Sequence, residues 1–123
     1  MYSTQVLDHF EHPRNAGTLD SPDAVTEVEN PACGDVLRLS AKFASDRITE
    51  VKFLAKGCVP AIACGSAITE LLIGKTILEA ASISREELVA NLGGLPKASN
   101  HASHLAIEAV TALLKTKLIN RVR

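Results

Sequence analysis

The sequence predicts an α+β fold in which a three-stranded antiparallel sheet packs against helices in a two-layer sandwich. Two observations predict it. Apolar and polar residues alternate in three consecutive segments between residues 25 and 55, and apolar residues recur at helical spacing from residue 60 onward. No internal repeat, low-complexity tract or long linker interrupts the 123 residues. We therefore expect a single domain spanning residues 1–123.

A short amphipathic helix is predicted near the N-terminus, with Ser3 as its N-cap and Pro13 just beyond its end. Its apolar residues recur at helical spacing: Val6, Leu7 and Phe10. We expect His9 and His12 on this helix to be solvated. Turn-forming residues then predict a loop without a regular element over residues 14–23.

The three alternating segments, residues 25–29, 37–43 and 48–55, predict the strands of the sheet. Residues 30–34 connect the first two strands, and residues 44–47 turn between the second and the third. The second strand has one apolar face, with Leu37, Leu39, Ala41 and Phe43, and one polar face, with Arg38, Ser40 and Lys42. Such a sheet is exposed on one side.

Helices are predicted for most of the remaining chain. Pro60 stands in the first turn of a helix that ends at Gly74, and a short helix begins near Thr76. Ser84 caps a further helix that ends at Gly93. The last helix, from about residue 99 to 118, covers the sheet with an apolar face of Ala106, Ile107, Val110, Leu113 and Leu114 and exposes Glu108, Lys115 and Lys117.

Composition excludes several functional classes. The 13 basic and 14 acidic residues and the 3% aromatic content make nucleic acid an unsuitable partner. No segment approaches the roughly 18 to 20 apolar residues of a membrane span, and the N-terminus does not resemble a signal peptide, so we expect a cytoplasmic protein. Cytosolic thiols stay reduced, so metal or sulfur chemistry is favoured over a disulfide for the three cysteines.

Four potential metal ligands come from three loops that are distant in the sequence. Cys33 and Asp35 lie in the connection between the first two strands, Cys58 follows Gly57 at the end of the third strand, and His101 stands at the start of the last helix. Two thiols, an imidazole and a carboxylate form a ligand set for iron or zinc. We predict a labile metal site at these residues.

Two further residues are substitute candidates for this site. Cys64 falls inside the helix that begins near Pro60, where it is either a small core residue or an additional ligand. His104 follows His101 by three residues and is either an exposed helix residue or an additional ligand. At Cys58, the adjacent helix N-terminus predicts a lowered pKa.

Several motifs in this chain occur together in one known family. They are residues 2–10, Pro13-Arg14-Asn15-Ala16-Gly17, Pro31-Ala32-Cys33-Gly34-Asp35, Gly57-Cys58, Ala61-Ile62-Ala63 with Ser66, Gly74-Lys75-Thr76 and Leu95-Pro96. With these motifs the chain resembles the U-type iron–sulfur cluster scaffold family, IscU and the N-terminal domain of NifU. The resemblance covers essentially the whole sequence.

The resemblance implies a role as well as a fold. Members of this family build a transient [2Fe-2S] cluster from persulfide sulfur delivered by a cysteine desulfurase, and they transfer the cluster to apo-proteins without being enzymes themselves. By position, Cys33, Cys58 and His101 resemble the family ligands, and Asp35 resembles the aspartate that keeps the cluster exchangeable. Leu95 and Pro96 resemble the docking tract for an Hsp70-type chaperone.

The chain departs from the family pattern at several places, among them Val59-Pro60 after the second cysteine and Cys64 in place of a serine, and two departures bear directly on function. The third ligand cysteine, which follows the histidine and accepts persulfide, is replaced by Ala102, so the chain resembles a divergent member. The chaperone tract continues with Lys97-Ala98-Ser99 in place of a second proline, valine and lysine.

Three functions therefore remain open. The first is a scaffold or carrier that holds iron or a [2Fe-2S] cluster. The second is a zinc-binding or metal-free regulator of a cysteine desulfurase, which the alanine at position 102 favours. The third is a persulfide carrier that uses Cys58 or Cys64. In each case we expect a monomer or a weak homo-oligomer.

Overall fold

The computed structural model describes the backbone of residues 1–122 and the side chains of residues 1–119. It confirms the α+β fold with a three-stranded antiparallel sheet. The elements in chain order are α1 (Thr4–Glu11), β1 (Ala24–Glu29), β2 (Val36–Ala44), β3 (Arg47–Lys56), α2 (Val59–Leu72), α3 (Ile77–Ala81), α4 (Arg85–Asn91) and α5 (Asn100–Val122), with a 3₁₀ turn (Lys97–Ser99) before α5. Every predicted element is present.

The sheet has the order β1-β2-β3, and its core side faces α2 and α5. Leu39 pairs with Thr26 on one neighbouring strand and with Phe53 on the other, and Leu39 is fully buried. On the opposite side of β2, Ser40 is also buried, although we expected this side to be exposed. The pairing of β2 with β3 shifts in register between two neighbouring residues of β2, because Lys42 pairs with Glu50 whereas Phe43 pairs with Ile48.

The loop before β1 pairs with the outer edge of β3, although no regular element was expected there. Phe53 N–H donates to Asn15 O at 2.9 Å, and Gly17 N–H donates to Phe53 O at 2.9 Å. This bridge forms because an edge strand has unpaired backbone groups that a neighbouring segment can satisfy. It covers part of the exposed edge of the sheet.

Helix α2 is the central helix of the fold. Its backbone comes so close to the sheet that a Cβ at Gly65 would lie 2.7 Å from a ring carbon of Phe53 and 3.2 Å from a methyl carbon of Leu37. Small residues are therefore required where α2 meets the sheet. Ten residues of the helix are buried: Pro60, Ala61, Ala63, Cys64, Gly65, Ser66, Ala67, Ile68, Thr69 and Leu72.

The N-caps predicted at Ser3 and Ser84 are present, and Thr76 is a further N-cap. Ser3, Thr76 and Ser84 each accept a hydrogen bond from a backbone N–H in the first turn of their helices, and Thr76 completes a capping box with Glu79. In α5, four of the five expected core residues are buried, but Ile107 is only partly buried. Lys117, expected to be exposed, is half-buried with its ammonium 4.9 Å from the centre of the Phe43 ring. No helix within the described residues is both long and apolar enough to cross a membrane.

The prediction that His9 is solvated is wrong. His9 is 7% exposed, and its Nδ1 lies 2.7 Å from the hydroxyl of Ser66 on α2. That hydroxyl also accepts a hydrogen bond from the backbone N–H of Arg14 at 2.8 Å. The imidazole therefore joins α1, α2 and the following loop, an arrangement that the local sequence does not reveal because Ser66 is 57 residues away.

Burial lowers the pKa of His9, and the nearby positive charge of Arg14 lowers it further, while the carboxylate of Glu70, 3.7 Å from Nε2, opposes the shift. We therefore assign the neutral imidazole. Because Ser66 already accepts from Arg14, its own hydrogen is available for His9 Nδ1, which leaves the imidazole proton on Nε2 facing Glu70.

This histidine makes stability depend on pH. Below the ordinary histidine pKa of about 6.5 the unfolded chain binds a proton that the folded chain does not, so the free energy of unfolding falls as the pH decreases. When the pH decreases from about 7 to about 5.5, we expect the free energy of unfolding, measured with urea, to fall by up to about 1 kcal/mol more in the wild type than in His9→Asn. His12→Asn, at an exposed position, is the control. Equal losses in wild type and His9→Asn would contradict this account.

Candidate metal centre

The connection between β1 and β2 presents Cys33 at the surface and Asp35 in the interior. The side-chain oxygen of Asn30 accepts from Ala32 N–H at 3.0 Å, and the carbonyl of Asn30 accepts from Gly34 N–H at 2.7 Å, which folds the connection into a tight turn. Asn30 N–H in turn donates to Asp35 O at 2.8 Å. The turn leaves the Cys33 thiol exposed, whereas Asp35 is only 5% exposed.

Cys58 occupies the N-cap position of α2, and its thiol points towards the same carboxylate. Its Sγ lies 3.4 Å from Asp35 Oδ2 and 3.8 Å from Nε2 of His101. The half-buried thiol is therefore in contact with the two other types of donor. Its position results from β3 ending at Lys56 and α2 beginning at Val59, which leaves two residues for the corner.

The expected lowering of the pKa of Cys58 is wrong. Burial raises the pKa of this thiol, and the adjacent Asp35 carboxylate raises it further through a hydrogen bond and its negative charge. The backbone N–H of Ala61 in the first turn of α2 acts in the opposite direction but is outweighed. The prediction considered only the helix N-terminus, whereas the tertiary structure adds a buried anion beside the sulfur.

His101 lies in the first turn of α5 with its ring oriented by a backbone carbonyl. Nδ1 is 3.1 Å from Ala98 O in the 3₁₀ turn, and Nε2 is 3.3 Å from Asp35 Oδ2. We assign the proton to Nδ1, which donates to Ala98, because this leaves the lone pair of Nε2 directed towards Asp35 and Cys58. A carbonyl that orients the second ring nitrogen is typical of metal-ligating histidines.

The structure thus brings together the four residues that the sequence predicted as ligands. One donor atom from each of Cys33, Asp35 and His101 lies within 4.8 Å of the other two, and Cys58 contacts the last two of these residues. The donor atoms of Cys33, Asp35 and His101 therefore lie close enough to share one cation, with the thiol of Cys58 beside two of them. Thiolates with one imidazole and one carboxylate suit iron, iron–sulfur clusters and zinc.

The two substitute candidates are placed differently. Cys64 is 1% exposed in the hydrophobic core, and burial raises its pKa to about 12, so the arrangement favours its reading as a core residue. His104 is exposed one turn further along α5, outside the donor cluster found among the described residues. It shares with His101 the lining of a shallow cavity of about 280 Å³.

Two other places that the family resemblance singled out have clear locations. Ala102, in place of the third cysteine, is 1% exposed and packs in the core next to His101 in the chain. Leu95 and Pro96 are half-buried and line a cavity of about 510 Å³ next to the N-terminus. The hydroxyl of Ser3 donates to the carbonyl of Leu92, which ties the N-terminus to this loop.

Sequence reasoning placed the connection at residues 30–34 but missed two hydrogen bonds that support the site, one to the side chain of Asn30 and one to the carbonyl of Ala98. An asparagine before a proline and a glycine is a turn signal, and it indicates the first support. The second has no sequence signal, because every residue type provides the same backbone carbonyl group.

Known proteins are similar to this chain in sequence and in fold. The family model for the NifU-like N terminal domain matches residues 1–119. The iron-sulfur cluster assembly scaffold protein IscU 1 of Archaeoglobus fulgidus is 46% identical over 110 residues, which cover 89% of this chain and 72% of that protein. The IscU scaffold protein of Azotobacter vinelandii is 43% identical over 118 residues, with 93% and 91% covered.

Solved structures also include proteins with a similar fold. The crystal structure of a putative iron-sulfur cluster assembly scaffold protein for the SUF system, from Fervidobacterium islandicum, superposes with a TM-score of 0.63 at 25% identity. The match covers 96% of this chain and 94% of that one. A hypothetical protein matches with a TM-score of 0.66 at 33% identity over 87% of this chain and 94% of its own.

The different burial of the three thiols predicts the order in which they react. We expect iodoacetamide to modify Cys33 at least about tenfold faster than Cys58, and to modify Cys64 only after unfolding, because alkylation requires an accessible thiolate. Peptide mass spectrometry on the metal-free protein measures the three rates separately. Modification of Cys64 before Cys33 in the folded protein would contradict the structure.

Proposed function

This chain belongs to the family of NifU-like N-terminal domains, and on that basis we propose that it is an iron–sulfur cluster assembly scaffold or carrier. It holds iron or a transient [2Fe-2S] cluster as cargo and transfers it to apo-proteins. In this role the protein binds and releases its cargo, and it is not an enzyme. The relatives named above as cluster assembly scaffolds support the proposal.

The observation that carries the proposal is the meeting of four donors at the protein surface. A [2Fe-2S] cluster requires two protein ligands for each iron. Donor atoms of Cys33, Asp35 and His101 lie within 4.8 Å of one another, and the thiol of Cys58 lies beside Asp35 and His101. In this proposal Asp35 is the fourth ligand and takes the place of the cysteine that Ala102 replaces. The exposed thiol of Cys33 keeps the site within reach of a partner protein.

The mixed ligand set supports release as well as binding. Thiolates are soft ligands that bind iron–sulfur clusters tightly, whereas the oxygen of a carboxylate is a harder ligand that suits other metals better. Asp35 is therefore the ligand at which exchange begins. We propose that its carboxylate makes the cargo transferable.

Partners follow from the same proposal. Sulfur arrives from a cysteine desulfurase, and apo-proteins or carriers receive the cluster. Cys33 is the exposed thiol among the three, so an external persulfide reaches this sulfur most readily. Docking of an Hsp70-type chaperone at Leu95 and Pro96, a cytoplasmic location and a monomeric or weakly oligomeric state remain predictions.

A second candidate is a zinc-binding or metal-free regulator of a cysteine desulfurase. The observation that favours it is Ala102, which places a buried methyl group where the family has a reactive thiol. Two cysteines, one histidine and one aspartate also complete a four-coordinate zinc site. A persulfide carrier that uses Cys64 is not favoured, because this thiol is buried and its pKa is raised to about 12.

Anaerobic reconstitution distinguishes the first two candidates. Incubation with Fe²⁺, sulfide and a cysteine desulfurase is expected to produce the visible absorption of a [2Fe-2S] cluster with equal amounts of iron and sulfide. Cys58→Ser should abolish it, whereas Cys64→Ala should leave it unchanged because Cys64 lies in the core. Zinc in the purified protein and no visible absorption after reconstitution would favour the regulator.

Replacement of the carboxylate by a thiolate should prolong the life of the bound cluster. We expect the visible absorption of reconstituted Asp35→Cys to decay several-fold more slowly than that of the wild type when a chelator is added, because a soft sulfur ligand replaces the oxygen ligand that exchanges most readily. Asp20→Cys, at an exposed position, should decay at the wild-type rate. Faster loss from Asp35→Cys would overturn the role assigned to this residue.

A further inference from the structure

Gly57, at the corner between β3 and α2, lies directly against the carboxylate of Asp35. A Cβ built on Gly57 would be 2.2 Å from Asp35 Oδ1 and 2.7 Å from its Cγ. Real Cβ atoms essentially never approach other atoms so closely. The carboxylate therefore occupies the space that any side chain at position 57 would need.

The second oxygen of the same carboxylate faces the metal centre. Asp35 Oδ2 is 3.3 Å from His101 Nε2 and 3.4 Å from Cys58 Sγ, while Oδ1 is the atom nearest to Gly57. The backbone of Asp35 is held by the hydrogen bond from Asn30 N–H to its carbonyl. A side chain at position 57 therefore requires a shift of the carboxylate, the flexible end of this contact, from the position in which Oδ2 faces His101 and Cys58.

We propose that Gly57 is a positioning residue of the metal centre, because the absence of a side chain there holds the Asp35 carboxylate towards His101 and Cys58. This inference rests on the proposed role of Asp35 as a ligand. Gly57 has a φ of +149°, which L side chains rarely adopt, so its backbone conformation and its contact with Asp35 both favour glycine. Gly34 and Gly74 separate the two effects, because they also have positive φ, at +78° and +88°, but a Cβ at either would meet no atom within 4 Å.

Titration of the metal-free protein with Co²⁺ tests this role without a cluster or a desulfurase. Loss of one donor should weaken Co²⁺ binding about tenfold or more in Asp35→Ala, a magnitude typical of changes around a metal ligand. Gly57→Ala should reproduce both this weakening and the d–d absorption of Asp35→Ala. The double variant Gly57→Ala/Asp35→Ala should bind Co²⁺ like Asp35→Ala alone, because the displaced carboxylate is already absent.

Gly74→Ala is the matched control, since it places alanine at another positive φ with open space around it, and it should retain the wild-type Co²⁺ spectrum. Wild-type binding by Gly57→Ala, or an equal further loss in the Asp35→Ala background, would overturn the proposal. If Gly57→Ala does not fold, folding of the double variant supports it and failure of both contradicts it. Absence of a [2Fe-2S] cluster in the wild type would contradict the proposed function but not this Co²⁺ result.

Discussion

The rest of the candidate metal centre depends on the contacts of one buried group, the carboxylate of Asp35. One oxygen lies beside the thiol of Cys58 and the imidazole of His101, and the other lies against the backbone of Gly57. Burial of a carboxylate is unfavourable unless polar or charged partners compensate for the lost water. The thiol of Cys58 donates a hydrogen bond to this carboxylate. In the proposed function, a bound cation would supply the opposite charge.

The fold explains why these loops meet. In the antiparallel sheet, the connection before β2 and the end of β3 are neighbours, since Val36 pairs with Lys56. Cys33 and Asp35 therefore come close to Cys58 through strand register alone. The start of α5 reaches the same end of the sheet because this helix packs along β1 and β2. The 3₁₀ turn before α5 then orients His101 through the carbonyl of Ala98.

The three cysteines show how burial gives one residue type different chemistry. Cys33 is exposed in a turn, Cys58 is half-buried at a helix N-terminus, and Cys64 is enclosed in the core. Burial raises the pKa of both Cys58 and Cys64, the latter to about 12. Although Cys58 occupies a helix N-terminus, loss of water and the neighbouring Asp35 dominate its pKa. The exposed thiol remains the most accessible to an incoming reactant, and the buried one contributes to packing.

The sequence alone determined the elements of the fold, because period, caps and turn residues act over a few positions. The alternation in β2 and the N-caps at Ser3 and Ser84 all predicted elements that the structure contains. The sequence also identified the four residues that lie close together at the candidate metal centre. The tertiary structure alone decided the burial of His9, the raised pKa of Cys58 and the contact between Gly57 and Asp35. Each of these depends on atoms from segments more than 20 residues apart along the chain, and no local pattern records such distances.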